Sequence, residues 1–278
     1  MEKHLLVCVC DDGTVSYSVR FIREFFNSPC DVRLTLFHVA PHGGSWGVHN
    51  SAQKGRKLLE KVKDDFIANS FCKENKIDIK SISSRGGVAR EIVQEGHKGM
   101  YDAVVFGRQA TFMFEELFDY SVAHRMIWED ITFPLWFCKC PQEIPKKDVL
   151  LCLGDGEPSQ RITDHVGYLL SDDSVHDITL LHVQKSKMAK AENSKKLFAV
   201  AREHLKANGI EDTRITERVV EETNVAKAIL TEAAKGHYAV VAIGRDFHDK
   251  TAKEKILPES VSVKLLRKLE GATLWISK

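Results

Sequence analysis

The sequence predicts two tandem α/β domains, each a doubly wound, Rossmann-like parallel sheet, and three observations carry that expectation. Short runs rich in Val, Ile, Leu and Phe alternate with longer stretches of helical period, the pattern of a βαβ chain. The whole arrangement is written twice. Finally, 278 residues suit two ordinary domains at roughly 100–200 residues each.

The repeat is legible block by block. HLLVCVCDDG from His4 returns as DVLLCLGDGE from Asp148, and LTLFHVA from Leu34 returns at the same interval as ITLLHVQ from Ile178. VAREIVQEGHKGMYDAVVFGR from Val88 matches VAKAILTEAAKGHYAVVAIGR from Val225, and YSVAHRMIWEDITFPLWFCK from Tyr120 matches ESVSVKLLRKLEGATLWISK from Glu259. Intervals that change between blocks place the length differences in surface loops. Pro141 and Pro145 with two lysines interrupt the apolar runs, which sets domains at 1–140 and 147–278 joined by a linker over 141–146.

In the first copy, strands are expected at His4–Cys10, Arg33–Val39, Ile77–Ser83, Tyr101–Gly107 and Phe133–Lys139, where apolar residues concentrate. Helices are expected at Val15–Phe26, Ser51–Phe71, Val88–Lys98 and Ser121–Glu129, with second-copy equivalents at Ser159–Leu170, Lys190–Asn208, Val225–Lys235 and Ser260–Leu269. Leu58, Leu59, Val62, Phe66 and Ile67 show the helical period, with Glu60, Lys61, Lys63 and Asp64 facing away.

Composition narrows the function. Hydrophobic residues at 43% and charged residues at 28% are average globular usage, which excludes a long disordered tail or a fibre. Forty Lys and Arg against 39 Asp and Glu leave a net charge of +1, so no global field favours nucleic acid or an anionic membrane. The longest apolar stretches, around His4–Cys10 and Ile131–Cys138, fall far short of the ~18–20 residues of a membrane span. Glu2 and the stop at Asp11 do not fit a secretory signal. Seven cysteines, mostly inside strand-like runs, suit reduced buried thiols in a cytoplasm.

A first strand ending in aspartate, a second ending in L-x-H-V and a fourth ending in V-x-G-R before a Ser-Val helix start resemble the universal stress protein family. LFHV and LLHV, with KGMYDAVVFGR and KGHYAVVAIGR, carry the resemblance over nearly the whole chain. It implies an adenine nucleotide alpha hydrolase-like sheet of order 3-2-1-4-5 and pairing of the two domains through fifth strands, here Phe133–Lys139 and Ala272–Ser277, as an internal pseudo-dimer. A homodimer beyond that pair is a further expectation. That order puts a topological switch between strands one and four, where open parallel sheets bind ligands. Asp11, Val39 and Gly107 flank the pocket in copy one. Asp155, Val183, Gly244 and Arg245 flank it in copy two. In nucleotide-binding members, the resemblance assigns the strand-one aspartate and the strand-two backbone to the nucleoside.

The resemblance also implies a phosphate loop, G-x2-G-x9-G-[S/T], whose glycines let backbone wrap phosphate and whose hydroxyl residue opens a helix. Copy one keeps the register with Gly107 and Ser121, but Ala110 and Tyr120 replace two glycines. Glu115, Glu116 and Asp119 add negative charge beside the expected phosphates. Copy two keeps Gly244 but has Phe247 at the second glycine, and two extra residues separate it from Ser260. There Arg245, Lys250, Lys253 and Lys255 offer phosphate-neutralising charge, and Ser260 offers a helix cap.

Other features have plainer readings. Asp11 and Asp12 suit a general base or magnesium, but equally a turn and helix start. Cys8-x-Cys10 and Cys138-x-Cys140 each share a strand face. With strand four between them they stand roughly 10 Å apart, too far for a shared metal, so no metal site is expected. His38 and His182 repeat one structural position. The insertion 41–50, with His42, Trp46 and His49, is a lid, a metal-binding loop or a flexible connection, and Phe112, Met113, Phe114, Phe118 and Tyr120 form a plug or a partner surface. No nucleophile elbow, paired-carboxylate signature, Walker loop or zinc spacing occurs.

These readings converge on a non-catalytic stress-response regulator or scaffold with degenerate nucleotide sites, no cofactor, and protein partners. The alternative is an ATP- or AMP-binding switch, or a weak ATPase, using magnesium in the second domain. A thiol or metal sensor on Cys10, Cys138 and Cys140 is the third.

Overall fold

The structure, a computed structural model, describes residues 2–10, 15–26, 32–40, 48–68, 76–85, 87–107, 131–139, 146–184, 191–245 and 260–278. The chain divides into two compact units, Met1–Pro141 and Gln142–Lys278.

The first unit runs β1 (Lys3–Cys8), α1 (Val15–Phe25), β2 (Val32–Ala40), α2 (Val48–Ala68), β3 (Ile77–Ser83), α3 (Val88–Lys98), β4 (Ala103–Gly107) and β5 (Leu135–Cys138). β2 lies between β3 and β1, β1 pairs β4, and β4 pairs β5, all parallel. That is the order 3-2-1-4-5. Leu5, Leu6, Leu34, Leu36, Val104 and Val105 are buried at its centre. At β5 the indole of Trp136 meets Phe21 edge-on at 6.1 Å and stacks on Phe26 at 6.3 Å. On α2, Leu59, Val62 and Phe66 are buried while Glu60, Lys61 and Asp64 are exposed. Each such side chain contributes about 2 kcal/mol by leaving water, which fixes the helix's rotation.

The second unit runs β6 (Asp148–Leu153), α4 (Glu157–Leu170), β7 (Ile178–Gln184), α5 (Ala191–Ala207), β8 (Ile215–Glu221), α6 (Val225–Lys235), β9 (Tyr238–Gly244), α7 (Val261–Lys268) and β10 (Thr273–Ser277). β7 lies between β8 and β6, β6 pairs β9, and β9 pairs β10, again all parallel. The chain steps one way from β6 to β8, then returns through β9 to β10. Right-handed crossovers therefore put α4 and α5 on one face and α6 and α7 on the other. α4 packs on α5, and α6 on α7.

Several boundaries differ from expectation by one to three residues, among them β1, which ends at Cys8, and β5, which runs Leu135–Cys138. α4 starts two residues early, because Pro158 sits in its first turn, where a fixed φ is already helical and no N–H is missed. α2 begins at Val48, inside the Gly-rich insertion. The strand expected from Tyr101 begins at Ala103, because Tyr101 folds back and its hydroxyl donates to Glu95 Oε1 at 3.0 Å. The expected helix Ser121–Glu129 lies outside the described residues.

His176 ties the start of the second unit together. It is buried, its Nδ1 donates to the Lys147 carbonyl at 2.8 Å, and its own carbonyl accepts from Arg214 Nε at 3.0 Å. Among the described residues no helix is long and apolar enough to cross a membrane.

Candidate functional site

In the second unit the crossovers leave β6 and β9 in opposite directions, so their carboxyl ends splay and a crevice opens between them. It is a cavity of about 400 Å³. Asp155 enters from the loop after β6, Val183 from the end of β7, Gly244 and Arg245 from the end of β9, and Ser260 from the start of α7. Val225 and Ile229 of α6 complete the wall with Cys152 and His182. The topology thus brings all five second-copy site residues to one cavity.

Arg245 is the charged group most deeply set in this wall. Its residue is 8% exposed, its backbone N–H donates to the Ser277 carbonyl at 2.8 Å, and Nη1 donates to Ser262 Oγ. Ser262 Oγ lies 3.1 Å from Ser260 Oγ. Burial lowers the guanidinium's pKa to about 10, which still leaves it charged at neutral pH. Ser260 sits at the N-cap of α7, but its hydroxyl makes no cap hydrogen bond. It joins Ser262 instead, so the capping expected of its side chain is replaced by this pairing.

His182 Nδ1 lies 3.2 Å from the Leu153 carbonyl. A carbonyl only accepts, so that nitrogen donates. Asp155 is exposed, and beside it the Gly154 N–H donates to Ser159 Oγ at 2.7 Å, pinning the loop to α4.

Gly244 has a packing role. A Cβ there would run into the Pro158 carbonyl and the Ser159 nitrogen. The first turn of α4 crosses the end of β9 so closely that only glycine fits, whatever occupies the cavity.

In the first unit Val39, 8% exposed, is the penultimate residue of β2 and Gly107 ends β4. β1 lies between those strands, with Cys8 opposite both Phe37 and Phe106, so the two residues flank the carboxyl end of β1. Asp11 and Ser121 lie outside the described residues, as do the insertion's His42 and Trp46, the aromatic stretch, and Lys250, Lys253 and Lys255.

Ser262, Cys152, Val225 and Ile229 were not among the expected site residues. Ser262 carried a signal, since ESVSVKL has serine where YSVAHRM has Ala123. Val225 and Ile229 are one helical turn apart, which marks a shared face but not which face meets a pocket.

Cys8, Cys138 and Cys152 are buried and Cys10 is exposed. Burial pushes Cys8 and Cys152 well above the usual thiol range, the opposite of a reactive thiolate. β4 separates β1 from β5, and among the described residues no cluster of three His, Cys, Asp or Glu side chains could hold a metal.

No model of a known protein family matches this sequence, and no curated protein matches it. Solved structures do match. A universal stress protein from Archaeoglobus fulgidus aligns over 99% of this chain and 96% of its own, with a TM-score of 0.76 and 15% sequence identity. A functionally unknown protein from Pseudomonas aeruginosa aligns over 100% of this chain and 92% of its own, with a TM-score of 0.59 and 12% identity. The architecture is therefore that of a two-unit α/β protein with a switch-point crevice. More particularly, it is the universal stress protein fold in tandem.

Proposed function

We propose that the protein is a non-catalytic stress-response regulator, acting through protein contacts in the cytoplasm, whose second unit takes an adenine nucleotide as its signal. The cavity that gathers Asp155, Val183, Gly244, Arg245 and Ser260 is the observation that supports this reading. At about 400 Å³ it falls within the ~300–1,000 Å³ of small-molecule sites. Its chemistry also suits the ligand: apolar Val183, Val225 and Ile229 for a base, Asp155 for ribose hydroxyls, Arg245 and Ser260 for phosphate. Bound nucleotide supplies no chemistry in this reading. It stabilises the unit that binds it and so biases which partner is held.

The first unit serves as the degenerate partner, because Ala110 and Tyr120 stand where the resemblance requires glycine. Cysteines set inside strands, Cys8, Cys138 and Cys152, suit a reducing compartment.

Calorimetric titration of the full chain with ATP, ADP and AMP, with and without magnesium, tests the reading. Micromolar, stoichiometric binding that Asp155→Ala weakens supports it. Phosphate release from bound ATP would make the protein a weak ATPase instead. Absence of binding by all three would leave a scaffold without a nucleotide signal.

A further inference from the structure

We propose that the second unit's crevice seats a single phosphate group on the guanidinium of Arg245, backed by Ser262, and that this seat works without a divalent metal. The proposal rests on the nucleotide reading above and adds which group carries the charge.

The glycine loop implied by the resemblance is poorly suited in sequence to do it. Phe247 occupies its second glycine position, and Gly244 is committed to the close crossing of α4. Arg245, in contrast, lines the cavity and is anchored at both ends, its backbone on β10 through Ser277 and its Nη1 on Ser262. Ser262 is itself buried in the first turn of α7. The amide dipoles of that helix point their positive end toward the same place.

The surroundings of Arg245 on balance disfavour its charge, since burial is what lowers its pKa from 12.5 to about 10. An entering phosphate reverses that balance, because a guanidinium fork matches two phosphate oxygens and both charges gain in a low dielectric. Polyphosphates bring more negative charge than one cation offsets, and divalent ions commonly share that task. One phosphate needs only Arg245, the one Lys or Arg lining the cavity among the described residues. The seat belongs to the second copy alone, because the first has Ala123 in place of Ser262.

Titration of the full chain with AMP and with adenosine, each in magnesium and in EDTA, tests this for wild type, Arg245→Gln and Arg245→Lys. The expected result is AMP affinity unchanged within about twofold by EDTA and about tenfold or more above that of adenosine, as a charge-assisted contact provides. Arg245→Gln removes the difference between AMP and adenosine, and Arg245→Lys keeps part of it. AMP binding that requires magnesium, or that Arg245→Gln leaves unchanged, overturns the seat while the nucleotide reading stands. Failure of AMP and adenosine, with ATP and ADP also silent, overturns both. Should Arg245→Gln not fold, Ser262→Ala carries the test: AMP binding weakened about threefold or more with adenosine unaffected supports the seat, and unchanged AMP binding overturns it.

Discussion

Glu232 Oε1 accepts from Arg218 Nη1 at 2.8 Å, joining the buried face of α6 to β8. The glutamate side chain is 4% exposed and the arginine 50%. The first unit has the same relation, with Glu95 of α3 on Lys80 of β3. Both copies therefore bury a carboxylate under the third helix and answer it with a half-exposed cation from the sheet's outer strand, which fixes helix to strand at the end of the sheet away from the crevice.

The asymmetry in exposure predicts unequal costs. Arg218→Met leaves a buried carboxylate unpaired and should cost about 3 kcal/mol. Glu232→Gln keeps a hydrogen-bonding group and frees an arginine that water can reach, so about 1 kcal/mol is expected. Urea unfolding of the two variants measures both, and equal losses would show that burial does not set the cost.

His165 of α4 gives the stability a pH dependence. It is 9% exposed, its ring meets Trp275 edge-on at 5.6 Å, and burial drives its pKa down from 6.5 to about 3. The folded pKa lies below the unfolded one, so between those values the unfolded chain binds more protons. Stability is complete above about pH 6.5 and is lost as pH falls toward 3, roughly 5 kcal/mol in all. His4 in the first unit is shifted the same way, chiefly by burial. His165→Phe should flatten the acid limb of the unfolding curve, and an unaltered limb would place the sensitivity elsewhere.

Gly244→Ala separates packing from ligand binding. A methyl group there meets backbone of α4 rather than a flexible side chain, so unliganded stability should fall by about 1–3 kcal/mol. Thermal unfolding without nucleotide reads this directly. A variant as stable as wild type would return the glycine to the phosphate-wrapping role its position suggests.

Much of the fold was legible because its signals are local. The third strand Ile77–Ser83 and the helices Val88–Lys98 and Val225–Lys235 have the bounds expected of them, since apolar period and Gly-based ends act within a few residues. Missed boundaries had partners elsewhere: Tyr101 leaves the strand to reach Glu95, and Pro158 starts α4 early. The crevice was legible in part, because the family resemblance implies the strand order and the switch point follows from strand order.

The sequence by itself determined that the chain is one α/β unit written twice and that the phosphate loops depart from the glycine pattern, while the family resemblance its motifs carry implied that strands one and four flank the crevice. All of these are properties of residue order. Only the tertiary structure decided that Arg245 is buried against Ser262, that His182 hydrogen-bonds the Leu153 carbonyl, and that Gly244 is held by Pro158. Those facts depend on which surfaces meet across crossovers many residues long, and burial, which sets the charge balance of Arg245 and His165, exists only once those surfaces have met.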